Sequence, residues 1–182
     1  IEISLNKKYP DHSCVTVWDA RKYMSGVSGA PCTYELKKEA RAQWEIENGY
    51  DGTSGDRLVL GFTSDESRRA DRFKLFERDE LLPILIDEGL SKNDCFQIID
   101  AAGISLPRIY SLGFPNANCI GCVKSGSPKY WNLVRKWFPD VFQERVEQSR
   151  RIGVKLVRIG SDRIFLDELS PDNQIGLFDT IE

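Results

Sequence analysis

No stretch of this chain is apolar over anything near the roughly 20 residues that a membrane-spanning helix needs, and no secretory leader is visible. Basic charge is not in excess either. The 25 Lys and Arg against 28 Asp and Glu leave a net charge of −3, so no global positive field calls for nucleic acid. Methionine occurs once, as Met24, and the chain opens on Ile1, so further residues are expected ahead of Ile1 in the gene product. Cysteine is sparse and odd in number: Cys14, Cys32, Cys95, Cys119 and Cys122 lack the spacing of a disulfide scaffold. That pattern points to a reducing, cytoplasmic setting and to metal or redox chemistry in preference to bridges. Internal repeats and low-complexity segments are absent as well.

What is present suits one domain with a substantial core: 182 residues, 41% hydrophobic and 29% charged. The expected division is a single α/β domain over residues 1–169 and an acidic, loose tail over 170–182. Residues 11–24 read as an amphipathic helix carrying Cys14, Val17, Trp18 and Arg21. A Ser/Gly loop then delivers Cys32, and a second helix is predicted from Thr33 to Asn48, with Leu36, Ala40, Gln43 and Trp44 facing inward. Leu58 to Phe62 is apolar at consecutive positions, as in a parallel strand covered on both faces. Leu81 to Ile86 is a shorter apolar run in which Pro83 favours a strand edge. Ser91 caps a helix to Ala102, with Gly103 as its stop. Tyr130, Leu133, Val134 and Trp137 share a helical face, and Pro139 begins another helix reaching about Arg151. Val154 to Ile159 and Arg163 to Leu166 form a hairpin across Gly160-Ser161-Asp162. Alternating strands and helices make the class α/β.

The segment with the most chemical information is Cys119-Ile120-Gly121-Cys122, set in a Gly/Pro/Asn-rich turn. A C-x-x-C on such a turn lets two sulfurs approach one atom, but tetrahedral zinc and iron–sulfur clusters take four ligands. Cys32 is the third candidate, because it sits at a helix start where the dipole favours a thiolate. Cys14 and Cys95 lie at helical spacing beside apolar residues and read as core. His12, the lone histidine, reads as a solvent-facing cap that also stands near enough in sequence to be a fourth ligand.

Three further segments carry charge. Asp65-Glu66-Ser67-Arg68-Arg69 follows the strand at Leu58–Phe62, beyond whose carboxyl end an α/β sheet binds ligands. There Arg68 and Arg69 could fork onto phosphate or sulfate, with Glu66 orienting them; the plain alternative is a solvated helix start. Lys37, Lys38 and Arg41 form a basic face on the helix after Cys32. Lys124 and Lys129 flank a flexible loop beside Trp131.

Four of these segments together resemble the phosphoadenosine phosphosulfate (PAPS) reductase-like family, its phage and mobile-element members above all. They are Gly29-Ala30-Pro31-Cys32-Thr33-Tyr34-Glu35-Leu36-Lys37-Lys38, Gly61 through Arg69, Gly103-Ile104-Ser105-Leu106-Pro107-Arg108-Ile109-Tyr110, and the run from Leu112 through Cys119-Ile120-Gly121-Cys122 to Asn132. The resemblance covers about residues 10 to 150. It implies a Rossmann-like α/β/α sandwich of the adenine nucleotide α-hydrolase type. It also implies a pocket for ATP or a PAPS-type nucleotide, near which Cys32, Cys119 and Cys122 cluster to hold zinc or an iron–sulfur cluster. Asp65, Glu66, Arg68, Arg69 and Lys37 are then the residues near the substrate's anionic groups.

The chain departs from that pattern in three places. Pro31 stands where a tandem cysteine pair would have its second member, so three matched thiols remain. The family's Ser-Gly-Gly-x-Asp-Ser phosphate loop is missing and is expected ahead of Ile1. No cysteine follows Cys122, so thiol-driven sulfonucleotide reduction lacks its nucleophile. The leading expectation is a nucleotide-binding enzyme acting on a sulfonucleotide or an adenylylated substrate, with catalytic residues unassigned. The alternatives are a nucleic-acid-modifying or phage-defence protein, gripping with Lys37, Lys38, Arg41, Lys124 and Lys129 and stacking on Trp131, and a non-catalytic metal-stapled binding domain. Partners left open are nucleic acid and a second copy of the chain, with no membrane.

Overall fold

Ser13 opens the first helix as a side-chain cap, its Oγ accepting the Val15 N–H at 3.2 Å. In the computed structural model, which describes residues 7–50, 55 and 57–172, this helix is α1 (Cys14–Arg21). It is shorter than the sequence pattern suggests. His12 adopts a left-handed turn at φ 52° before it, and Lys22 does the same at φ 49° after it. The described chain is mixed α/β and 51% helical, with few and short strands. It divides into two compact units, residues 1–44 with 108–182 and residues 45–107. Among the described residues no helix is long and apolar enough to cross a membrane.

In the first unit, Pro31 takes the first helical position that its fixed φ suits. It begins a helical run made of α2 (Pro31–Thr33), a π-helical turn (Tyr34–Lys38) and α3 (Glu39–Glu47). The π turn inserts a residue into the 3.6-residue register, which rotates everything after it by about 100°. The predicted inward face is kept only in part. Ala40 is buried as expected, but Gln43 is exposed, and Glu35 is buried in its place.

α7 (Pro128–Trp137) and α8 (Pro139–Ile152) each begin on a proline, and α8 ends on Gly153 at φ 81°. β3 (Val157–Ile159) and β4 (Asp162–Ile164) form the expected antiparallel hairpin, with Val157 opposite Ile164. Gly160, at φ 59°, opens its two-residue turn. The Arg158 N–H donates to the Gly126 carbonyl at 2.8 Å, tying the hairpin to the loop ahead of α7. The core of this unit is aromatic. Phe114, Tyr130 and Trp131 pack edge to face, with ring centroids 5.6 Å and 5.3 Å apart, over Trp18, Met24, Val134 and Phe142.

In the second unit, β1 (Leu58–Val59) pairs in parallel with β2 (Leu81–Leu82), Leu58 against Leu81. α4 (Ser67–Phe76) lies between them in sequence. The strands are shorter than the apolar runs that predicted them. Pro83 ends β2 and α5 (Ile84–Asp87) follows at once, because a residue without an N–H cannot continue the ladder. Val59 is 55% exposed, so the strand is not covered on both faces. Phe62, Ala70 and Leu81 form a small core with Leu60, Phe73 and Ile86. α6 (Lys92–Ala101) has the predicted Ser91 cap, completed by Asp94 into a capping box. The acidic tail beyond residue 172 lies outside the described residues.

Candidate metal centre

Four of the five thiols lie in the first unit, on three segments of the chain. Cys14 is the first residue of α1, Cys32 sits in the first turn of α2, and Cys119 and Cys122 bracket a turn ahead of α7. Cys14, Cys32 and Cys122 also pack against the same aromatic core.

The C-x-x-C knuckle is shaped by two contacts. Gly121 sits at φ 67°, and a Cβ there would lie 2.8 Å from Val141 Cγ1, so only glycine fits without displacing its neighbour. From inside, the Tyr130 hydroxyl donates to the Cys119 carbonyl at 3.1 Å and accepts the Cys122 N–H at 2.7 Å. Burial, with the adjacent cysteines adding to it, pushes the Tyr130 hydroxyl up to about 12, so it remains a donor across the neutral range.

Burial pushes the Cys14 thiol up; the Arg145 guanidinium opposes the shift, while Cys32 and Cys119 add to it. Burial also raises Cys32, against the Trp18 indole and Lys37, with Cys122 and Cys119 raising it further. The helix start at Cys32 was expected to favour a thiolate, and here desolvation outweighs the dipole. All five cysteines are free thiols. As placed, no group of three or more His, Cys, Asp or Glu side chains among the described residues stands close enough together to hold a metal ion. Thiolate sulfur is the soft donor that zinc and iron–sulfur clusters take.

Two buried donors belong to the same unit, and Arg145 Nη1 donates to Gln148 Oε1 at 3.4 Å. Trp18 is 2% exposed, and its indole N–H lies towards Cys32, whose thiolate it favours. Arg145 is 5% exposed and its Nε is unsatisfied. The Arg145 guanidinium stacks 4.8 Å over the Trp18 ring, and its Nε would be 3.4 Å from a Cβ on Gly121. Its nearest carboxylate is Glu144, 3.7 Å from Nη1 and itself exposed. The sequence signal for Arg145 was a cation sharing an inward helix face with Phe142 and Ser149 at i−3 and i+4. His12, by contrast, is exposed on its turn.

Of the other expected site residues, Lys37 is exposed in the first unit and acts on Cys32, while Asp65, Glu66, Arg68 and Arg69 belong to the second. Asp65 Oδ2 accepts the Lys92 N–H at 3.1 Å, which places it at the start of α6. Arg69 pairs with Glu66 at 2.6 Å and lies 5.1 Å over the Phe62 ring. Arg68 is exposed on α4. Trp131, expected as a stacking surface, is fully buried, and its Nε1 donates to the Ser125 carbonyl at 2.8 Å. It offers no face to a base. Lys124 and Lys129 are exposed. A cavity of about 190 Å³ opens beside the knuckle against Asn118, Ser127, Lys129 and Tyr130. Another of about 580 Å³ is bordered by Lys129, Arg135 and Lys136.

Comparisons with protein-family models, with curated proteins and with solved structures find no match for this chain.

Proposed function

We propose that this chain is a nucleotide-binding enzyme of the PAPS reductase-like group. It acts on a sulfonucleotide or an adenylylated substrate and carries a zinc or iron–sulfur centre on Cys32, Cys119 and Cys122. The observation that carries this reading is that Cys32 and Cys122, from segments far apart in the chain, pack against one aromatic core, with Cys119 opening the same turn as Cys122. The family resemblance anticipates that these segments share one side of the fold.

The finer architecture in this proposal is the Rossmann-like sandwich. Support comes from the parallel pair β1 and β2 with α4 between them in sequence, which is the βαβ arrangement from which such sheets are built. Asp65 to Arg69 follow β1 at the end where such sheets bind ligands. Within that segment Arg68 is the phosphate-gripping candidate, since Arg69 is already paired with Glu66.

Melting of the chain with ATP and with PAPS tests the reading. A nucleotide at about 100 times its dissociation constant stabilises by about 2.7 kcal/mol, and Arg68→Ala should remove that rise. An unchanged melting temperature with both nucleotides would count against it. A second reading, nucleic-acid binding, draws on the cavity bordered by Lys129 and Lys136. It predicts DNA affinity that falls steeply with salt and weakens in Lys129→Ala. If neither ligand binds and only chelators lower the melting temperature, the chain is a metal-stapled binding domain.

A further inference from the structure

We propose that one face of α7 binds a sugar phosphate, with Lys129, Arg135 and Lys136 holding the phosphate and an adjoining polar cavity taking the sugar. The inference goes beyond the nucleotide reading and does not depend on it. These residues belong to the first unit, whereas Arg68 belongs to the second.

The helix itself sorts the residues. Tyr130, Trp131 and Val134 turn into the core. That leaves Lys129, Asn132, Leu133 and Lys136, at i, i+3, i+4 and i+7, on another face. With Arg135 these four line the cavity of about 580 Å³, a volume typical of small-molecule sites. No acidic side chain borders it among the described residues. In a chain of net charge −3, cations from Lys129, Arg135 and Lys136 around one hollow are a local concentration. A carboxylate would answer one of them, whereas a phosphomonoester approaches two negative charges at neutral pH.

Arg135 is already fixed in place. Its Nη2 donates to the Leu169 carbonyl at 2.7 Å and to the Leu166 carbonyl at 3.3 Å. The guanidinium lies 4.4 Å over the Phe142 ring. Its Nη1 is buried and has no hydrogen-bond partner among the described residues. A buried donor left unmade is costly, and a phosphate oxygen in the cavity that Arg135 borders supplies the acceptor. Asn132 Nδ2 donates to the Ser170 and Pro171 carbonyls at 3.0 Å and 3.1 Å, which holds Pro171 at the rim. The wall is therefore set before a ligand arrives.

The cavity of about 190 Å³ shares Gly113, Lys129 and Leu133 with the larger one, so a molecule held by Lys129 can extend into it. Asn118, Ser125 and Ser127 border it. Their amide and hydroxyl groups both donate and accept, as the hydroxyls of a sugar do.

Calorimetric titration at neutral pH and matched ionic strength, with glucose 6-phosphate, inorganic phosphate and glucose as probes, tests the site. Glucose 6-phosphate should bind at least about tenfold more tightly than inorganic phosphate, and glucose should not bind measurably. Lys129→Gln and Lys136→Gln, both at exposed positions, should each weaken glucose 6-phosphate about tenfold or more while melting as native. Asn118→Ala should weaken glucose 6-phosphate and leave inorganic phosphate unchanged.

Binding of neither phosphate overturns the proposal, as does native affinity in both lysine variants. Equal affinity for the two phosphates overturns the sugar cavity. Loss of binding in Arg68→Ala, with the lysine variants unaffected, moves the anion to the second unit and overturns it too. A short duplex DNA that displaces glucose 6-phosphate at lower concentration than the sugar phosphate itself makes the face a nucleic-acid surface instead. The nucleotide reading is judged separately, by the ATP and PAPS melting shifts that Arg68→Ala should remove.

Discussion

The Tyr130 hydroxyl and the Cys122 backbone nitrogen lie 2.7 Å apart, and the same hydroxyl reaches the Cys119 carbonyl at 3.1 Å. One phenol therefore fixes both ends of the C-x-x-C turn from inside the core. Tyr130→Phe removes one acceptor and one donor while keeping the ring. The orphaned Cys122 N–H should cost about 1–3 kcal/mol, seen as a lower urea midpoint at unchanged slope. On the proposed centre, Co2+ affinity should fall as well. A variant with native stability would show that water replaces the hydroxyl without penalty.

Gly121 makes a separate prediction. Alanine there must adopt φ 67° and place a Cβ 2.8 Å from Val141. Backbone strain and crowding together should cost about 2–4 kcal/mol. Trimming the neighbour in Gly121→Ala/Val141→Ala should recover the crowding part only. Full recovery would mean that the backbone conformation is unstrained.

Glu35 gives the molecule an acid dependence. It is 1% exposed, within 2.8 Å of Arg21 Nε and 3.4 Å of Lys8 Nζ. Burial alone would raise its carboxyl, but the pairing with Arg21 and Lys8 outweighs burial and holds it below the ordinary value. A depressed folded pKa contributes stability above the unfolded value of about 4.3, and this is lost as pH falls through the folded value. Urea midpoints should thus be flat from neutral pH to about 5 and fall below about 4.3. In Glu35→Gln the midpoint should be lower at pH 7 and its acid dependence shallower. Parallel curves for the two proteins would assign the acid sensitivity to other carboxylates.

Asp65 and Arg68 separate scaffold from ligand. Asp65 accepts from the first residue of α6, so Asp65→Ala should cost about 1 kcal/mol through a lost helix-start contact and leave any nucleotide-induced rise in melting temperature in place. Arg68→Ala should do the reverse, with native stability and no rise. If Asp65→Ala also removes the rise, its carboxylate belongs to the ligand site.

Much of the fold was legible because local rules governed it. The Ser91 cap and Asp94 box, the proline starts of α7 and α8 and the Gly160 turn all depend on neighbours within four residues. Where the reading failed, a distant or register effect decided. Gln43, expected inward beyond the π turn at Tyr34–Lys38, is exposed, and Glu35 is buried through its pairing with Arg21 and Lys8. Pro83 turned the end of an expected strand into a helix start. Trp131, set beside a basic loop and expected as a stacking surface, was drawn wholly into the aromatic core.

From the order of amino acids alone come the C-x-x-C turn, the third thiol at a helix start and the helices that carry them, since each is written in residues a few positions apart. Tertiary structure alone decided that Cys14, Cys32 and Cys122 pack against one aromatic core and that Arg145 is buried over the Trp18 ring. Spacing along a helix records which face a residue shares, not which distant segment packs against that face. A buried cation's partner is set by the fold, because desolvation has meaning only once the chain has closed around it.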